Sequence, residues 1–193
     1  MAAAGLIEGY AIVSEDGMLA DAHRVMPPSL HFEADQRFFE AGLDRADVVV
    51  HGRHSQERQA RSHLRHRLIL TRRVPALAPH PSNSRALLWN PAGATFEEAL
   101  RELGQEGAAV AVIGGAEAFA LFLSRMDVFH LTRAPDVRLP GGRPVFPDVP
   151  ARAPEDVLAA HGMIADPPVV LDAAARLTLV TWQRRDWIKP DAI

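Results

Sequence analysis

Three polar clusters in this chain carry residue types that could hold a charged ligand: Gly52-Arg53-His54-Ser55, Thr71-Arg72-Arg73 and Gly114-Gly115-Ala116-Glu117. Arginine binds two phosphate oxygens at once through its planar fork, and adjacent glycines let a backbone come close to a ligand. A helix that starts directly after such a pair offers free N–H groups to an anion. Together the clusters have the makings of a cradle for a long polyanionic cofactor. Taken singly they have plainer readings, the glycine pair as a tight strand-to-helix turn and the arginines as solvated charge.

A fourth feature concerns protons. Phe32, Phe39 and Leu43 recur on one helical stripe, which puts Asp35-Gln36 at its edge. A carboxylate there is costly without a partner or a task, and burial raises its pKa toward the range of a useful proton donor. The other reading is a helix-start acid favoured by the macrodipole, a role shared with Glu33. The residues alone leave both open. His51, His54, His63 and His66 lie close together without carboxylates at metal-site spacing, so they read as core or surface histidines and no metal is expected. Ser14 and Ser55 lack a nucleophile-elbow context, which argues against acyl transfer.

The elements that must position these groups follow from periodicity. Residues 108–113 form a near-continuous apolar run, the pattern of a parallel strand buried on both faces, and Phe119, Phe122 and Leu123 mark an amphipathic helix beyond the glycines. Residues 6–13 predict a first strand ending at Ser14-Glu15-Asp16-Gly17, 18–30 a long loop, 32–43 a helix and 47–50 a second strand closed by Gly52. Residues 53–66 read as a polar surface helix or turn, 68–71 as a third strand, 74–84 as a proline-bearing loop and 86–89 as a fourth strand. Thr95 with Glu98 makes a capping box for a helix to about residue 103, and 128–132 is a further strand. Residues 133–154 read as irregular, 154–160 as a helical turn, 177–182 as a half-buried last strand and 190–193 as a fraying end. Strands separated by helices predict an α/β protein of three layers, with a mostly parallel central sheet and helices on both faces. In such sheets ligands bind at the carboxyl ends of the strands, where the three polar clusters fall.

Composition narrows the function classes. The 193 residues, 48% hydrophobic and 23% charged, suit one globular domain over residues 1–193. A net charge of -3 argues against nucleic acid as the main partner, although 53–73 is locally rich in arginine and histidine. The absence of cysteine excludes disulfides and thiolate chemistry and fits a cytoplasmic protein. M-A-A-A-G-L-I-E-G-Y lacks a basic flank and a long apolar core, and no apolar run of about 18 residues occurs, so neither a signal peptide nor membrane binding is expected. The half-buried last strand suggests cover by a second subunit, hence a homodimer.

The segments S-E-D-G-M-L-A (14–20), D-V-V-V-H-G-R-H-S (47–55), L-I-L-T-R-R (68–73), V-I-G-G-A-E-A-F (112–119), D-V-F-H-L-T-R (127–133) and V-F-P-D (145–148) share an order and spacing. In these the chain resembles the dihydrofolate reductase-like superfamily, which includes dihydrofolate reductases and the reductase domain of the riboflavin-pathway deaminase–reductase. The resemblance covers residues 6 to about 185 and implies that superfamily's fold, with an antiparallel C-terminal strand. It further implies an NADPH-dependent reductase passing a hydride to a pterin- or pyrimidine-like heterocycle; a nucleotide-binding protein without turnover is the alternative.

Carried over by position, the resemblance puts Ala11 and Ile12, with Gly17, Met18, Leu19 and Ala20, beside the nicotinamide. Gly52, Arg53, His54 and Ser55 take the diphosphate side, and Thr71, Arg72 and Arg73 the adenosine 2′-phosphate. Ile113, Gly114, Gly115, Ala116 and Glu117 lie under the nicotinamide and diphosphate. Asp35 matches the proton-relaying acid and Thr132 the threonine bonded to it, while Phe39 and Arg65 fall on the substrate side. Two departures stand out. Residues 26–35 are longer than the L-P-W-x-L-P-x-D pattern and lack its tryptophan. The S-x-D-G opening is shared with riboflavin-pathway reductases, whereas G-R-H-S-Q-E resembles the folate side.

Overall fold

The computed structural model describes residues 5–55 and 61–185. The chain opens on β1 (Ile7–Ser14), turns into the short β2 (Met18–Ala20) and, after a 3-10 turn at Pro28–Leu30, enters α1 (Glu33–Leu43). Glu33 and Asp35 occupy the first turn of α1, where carboxylates meet the positive end of the helix dipole, and Glu33 pairs with Arg37 one turn on. The strands β3 (Val48–Gly52) and β4 (His66–Leu70) are followed by the hairpin of β5 (Leu77–His80) and β6 (Asn83–Trp89).

Next come α2 (Phe96–Glu102), β7 (Val110–Val112), α3 (Ala116–Phe122) and β8 (Val128–Ala134). α2 starts at the expected capping box: the Glu98 N–H donates to the Thr95 hydroxyl at 3.2 Å and the Thr95 N–H to the Glu98 carboxylate at 2.7 Å. Thr95→Ala is therefore expected to lower stability by about 1 kcal/mol, read as a drop in thermal midpoint. The C-terminal part adds β9 (Arg143–Pro144), α4 (Pro154–Ala160), β10 (Met163–Ala165), β11 (Val169–Asp172) and β12 (Leu177–Arg184).

One mixed sheet runs in the order β10-β12-β8-β1-β7-β3-β4-β6-β5, with β11 also on β12. Its centre, from β8 through β1, β7, β3 and β4 to β6, is parallel. Antiparallel strands finish both ends, β12 against β8 and β5 against β6. Side chains alternate across the central strands. Val48, Val50, Val110 and Val112 join the cluster of Phe96, Phe119 and Phe122 from α2 and α3, while Val49, Ala111 and Tyr10 meet Leu43, Phe38 and Phe39 of α1. Burial on both faces is why the strand residues read as unbroken apolar runs. Phe96 and Phe122 meet edge to face at 4.8 Å, and burying each such ring contributes about 1.5–3 kcal/mol.

Three stretches differ from the sequence expectation. Residues 74–84 hold β5 rather than loop alone; β5 lies at the sheet's edge, where Pro79 withdraws no hydrogen bond from a second neighbour. The long loop 18–30 contains β2, paired with β9 inside the stretch read as irregular. Residues 163–172 contribute β10 and β11, whose Ile164, Val169 and Val170 are exposed, so no alternation betrays them. The polar stretch 53–66 forms a turn and a 3-10 turn at Ser62–Leu64; residues 56–60 and the expected fray at 190–193 lie outside the described residues.

Candidate active site

The carboxyl ends of β1, β3, β4, β7 and β8 come together on one side of the sheet, because parallel pairing aligns them in register. At the centre, the Gly52 N–H donates to the Gly114 carbonyl at 2.7 Å, tying the end of β3 to the glycine pair after β7. The Gly114–Gly115 peptide is cis, and Gly114 has φ +101°, a conformation that a side chain would strain. A Cβ on Gly115 would meet only open space, so the backbone there faces a free volume.

Arg53, Ser55, Thr71 and Arg73 line one cleft of about 420 Å³ on the α1 side of the sheet. The Ser55 N–H donates to the Gly52 carbonyl at 2.9 Å and the Arg73 N–H to the Thr71 hydroxyl at 3.2 Å, which fixes both turns. Arg72 parts from its neighbour: it reaches across to Glu117 at 3.5 Å, with both side chains exposed. Ala116 and Glu117 border a second cleft of about 550 Å³ with Leu121, Arg143 and Pro144. His54 is exposed and lines neither of these two clefts.

Asp35, half-buried in the first turn of α1, comes near the Thr132 side chain on β8. Burial raises the Asp35 carboxyl above its ordinary value, and the Thr132 hydrogen bond only partly opposes this. Thr132 itself is 1% exposed, whereas Asp35 is half-buried. Ile12 sits beside it among Leu30, Phe32 and Leu177, whereas Ala11 joins the core on the opposite face. Phe39 packs edge to face on Tyr10 at 6.0 Å, and Ile113 belongs to the same apolar group.

Residues 14–20 are held by contacts that sequence reasoning passed over. The buried Ser14 hydroxyl donates to Asp16 at 2.6 Å and accepts from the Met18 N–H at 2.9 Å, and Asp16 takes the Leu139 N–H at 3.0 Å. The signal was present in the Ser-x-Asp spacing, which favours a local turn. Gly17, Met18, Leu19 and Ala20 are thus anchored, with the Val145 N–H on the Gly17 carbonyl at 3.0 Å. The buried Arg65 guanidinium donates to Asp44, just past α1, at 2.7 Å.

Among the described residues, no group of three or more metal-ligating side chains occurs, and no helix is long and apolar enough to cross a membrane. No family model matches the sequence, and no curated protein matches it as a relative. Solved structures do match. A protein assigned to riboflavin biosynthesis from Shewanella sp. PV-4 superposes with a TM-score of 0.63 at 20% identity, over 96% of this chain and 99% of its own. A diaminohydroxyphosphoribosylaminopyrimidine deaminase/5-amino-6-(5-phosphoribosylamino)uracil reductase from Thermotoga maritima gives 0.61 at 17% identity, over 94% of this chain and 57% of its own. Dihydrofolate reductase from Enterococcus faecalis, complexed with NADP(H) and RAB-propyl, gives 0.58 at 17% identity, over 96% of this chain and the whole of its own. The fold is dihydrofolate reductase-like.

Proposed function

From this fold we propose that the chain is an NADPH-dependent reductase acting on a pterin- or pyrimidine-like heterocycle. The observation that carries the reading is the half-buried Asp35 carboxyl beside Thr132, on the strand next to β1, with its pKa raised by burial. The cofactor fits the residues present: Arg53 and Arg73 with the hydroxyls of Ser55 and Thr71 would hold its phosphate end, and the side-chain-free Gly114 and Gly115 leave room for close approach. When bound, the cofactor supplies the hydride.

The chain's own residues supply position and a proton. Asp35, whose burial favours its protonated form, donates to a ring nitrogen of the substrate, while Thr132 beside it orients its carboxyl. Phe39 and Ile12 provide the apolar wall against which a flat heterocycle is held. Arg65, engaged by Asp44, favours a substrate that makes no demand on it, such as a pyrimidine without an anionic tail at that end.

The test is NADPH oxidation, followed by the loss of the reduced nicotinamide's near-ultraviolet absorbance, with dihydrofolate and separately with the ribosylaminopyrimidine of the riboflavin pathway. Oxidation with either supports the reading; measurable NADPH binding without oxidation supports a nucleotide-binding protein instead. Cofactor choice has its own prediction. Replacing Arg72 and Arg73 together by Ala is expected to weaken NADPH about tenfold and to leave NADH unchanged, because a charged hydrogen bond contributes about 1.5–3 kcal/mol. Titration of both cofactors by fluorescence checks this, and equal weakening would remove the 2′-phosphate assignment.

A further inference from the structure

Glu8, Tyr10, His130 and Thr181 lie on the α1 face of the sheet and have no part in the reaction above. The Tyr10 hydroxyl donates to Glu8 Oε2 at 2.7 Å, His130 Nε2 lies 3.4 Å from Glu8 Oε1, and His130 Nδ1 lies 3.1 Å from the Thr181 hydroxyl. One chain of polar contacts thus crosses β1, β8 and β12. His130 is 9% exposed, and a polar ring so placed costs free energy unless its nitrogens are bonded.

The directions of these bonds follow from Glu8. Burial alone would raise its carboxyl, yet the His130 and Tyr10 hydrogen bonds and the charges beside it hold it below its ordinary value. An ionised carboxylate only accepts, so in the neutral imidazole Nε2 carries the hydrogen and Nδ1 accepts from the Thr181 hydroxyl. Bonded at both nitrogens, the ring keeps one plane. Tyr10 stacks on it at 4.7 Å and Phe38 of α1 meets it edge to face at 5.1 Å, while Arg45, just past α1, reaches the Tyr10 hydroxyl at 3.5 Å. The groups that face the ring are therefore Glu8 and Tyr10 from β1, Thr181 from β12 and Phe38 from α1.

Register links this ring to the proposed acid. Thr132 follows His130 by two residues and so shares its face of β8, roughly 7 Å along the strand. Asp35 precedes Phe38 by three and so shares its face of α1. α1 therefore meets β8 at two places, Asp35 near Thr132 and Phe38 on His130. The geometry points to His130 as a positioning residue for Asp35: its hydrogen bonds to Glu8 and Thr181 fix the ring on which Phe38 seats, and so hold the first turn of α1 beside Thr132. The consequence for turnover rests on the reductase reading; the placement of Asp35 does not.

The readout is the Asp35 carboxyl itself, titrated by carbon-13 NMR in the unaltered full chain, in His130→Phe and in Thr181→Val. His130→Phe keeps a ring and loses both hydrogen bonds. Thr181→Val removes one of them at nearly constant shape and serves should His130→Phe not fold. In each variant the Asp35 titration is expected to move down toward that of an ordinary carboxyl, as water reaches the loosened turn. Turnover of NADPH, measured below each thermal midpoint, is expected to fall about tenfold with KM for NADPH unchanged, since misplacing a catalytic group slows the reaction more than it weakens binding. Nitrogen-15 spectra of the unaltered chain at alkaline pH are expected to show the Nε2–H form of His130. An Asp35 titration unmoved in both variants overturns the proposal, and so does the Nδ1–H form; His130 then adds stability alone. Upward movement in His130→Phe with none in Thr181→Val also overturns it, because that is the loss of a nearby positive charge and not of position. Absence of NADPH oxidation in the unaltered chain bears only on the reductase reading, since the Asp35 titration is read without cofactor.

Discussion

Replacing Asp35 with Asn is expected to cut NADPH turnover by about 100-fold or more and to leave NADPH affinity unchanged. General acid catalysis contributes about 10²–10⁴-fold, and an amide of the same shape keeps the Thr132 contact while losing the transferable proton. In the unaltered protein, turnover is expected to fall as pH rises through the raised Asp35 value, because the acid is then ionised and cannot donate; the Asn variant should lack that limb. Stability should move the other way. The Asp35 value in the folded chain lies above the unfolded one, so the stability of the neutral acid is full below the unfolded value and is lost as pH rises through the folded one. Asn carries no such loss. The variant should therefore melt above the parent near neutral pH, and the two should converge in acid. A less active but more stable protein is the signature of a buried carboxyl kept for chemistry; an active Asn variant would return Asp35 to a helix-start role.

Gly42→Val is expected to destabilise the fold by about 3 kcal/mol, at the upper end of overpacking costs. A Cβ at Gly42 would stand 2.5 Å from Cε1 and 2.6 Å from Cζ of Tyr10. The tyrosine cannot yield cheaply: its hydroxyl donates to Glu8 at 2.7 Å, its ring stacks on His130 at 4.7 Å, and Phe38 and Phe39 close around it. Burial and the Glu8 carboxylate beside it push the Tyr10 hydroxyl well above its usual ionisation range, so the bond persists across working pH. Helix propensity would favour a side chain over glycine by at most about 1 kcal/mol, too little to reverse the sign. At roughly 2–4 °C per kcal/mol for a chain of this size, the thermal midpoint should fall by about 6–12 °C. Turnover should fall with it, because α1 must lift from β1 and carry Asp35 away from Thr132.

Much of this was legible in the residues. The apolar runs at Val48–Gly52 and Val110–Val112 are buried on both faces, and that is why they could be read as parallel strands. The capping box at Thr95 announced α2 because its two hydrogen bonds are local in sequence. The edges were not legible for the converse reason. Val169 and Val170 lie on an exposed strand, and β5 carries a proline that only an edge position tolerates. The juxtaposition of Asp35 and Thr132 came from a resemblance and not from periodicity, since nothing local in either segment encodes a contact 97 residues apart.

The order of strands also governs how the polypeptide must be made. The partners of β1 are β7 and β8, with Ile7 opposite Val110 and Glu8 opposite Val128. A nascent chain therefore carries its first strand unpaired until more than half of its length has left the ribosome, and Asp35 waits still longer for Thr132. Such long-range closure makes folding slow and leaves an apolar strand edge open in the interval. Fragments that stop before β7 are expected to aggregate more on expression than residues 1–193, measured as the pelleted fraction of each.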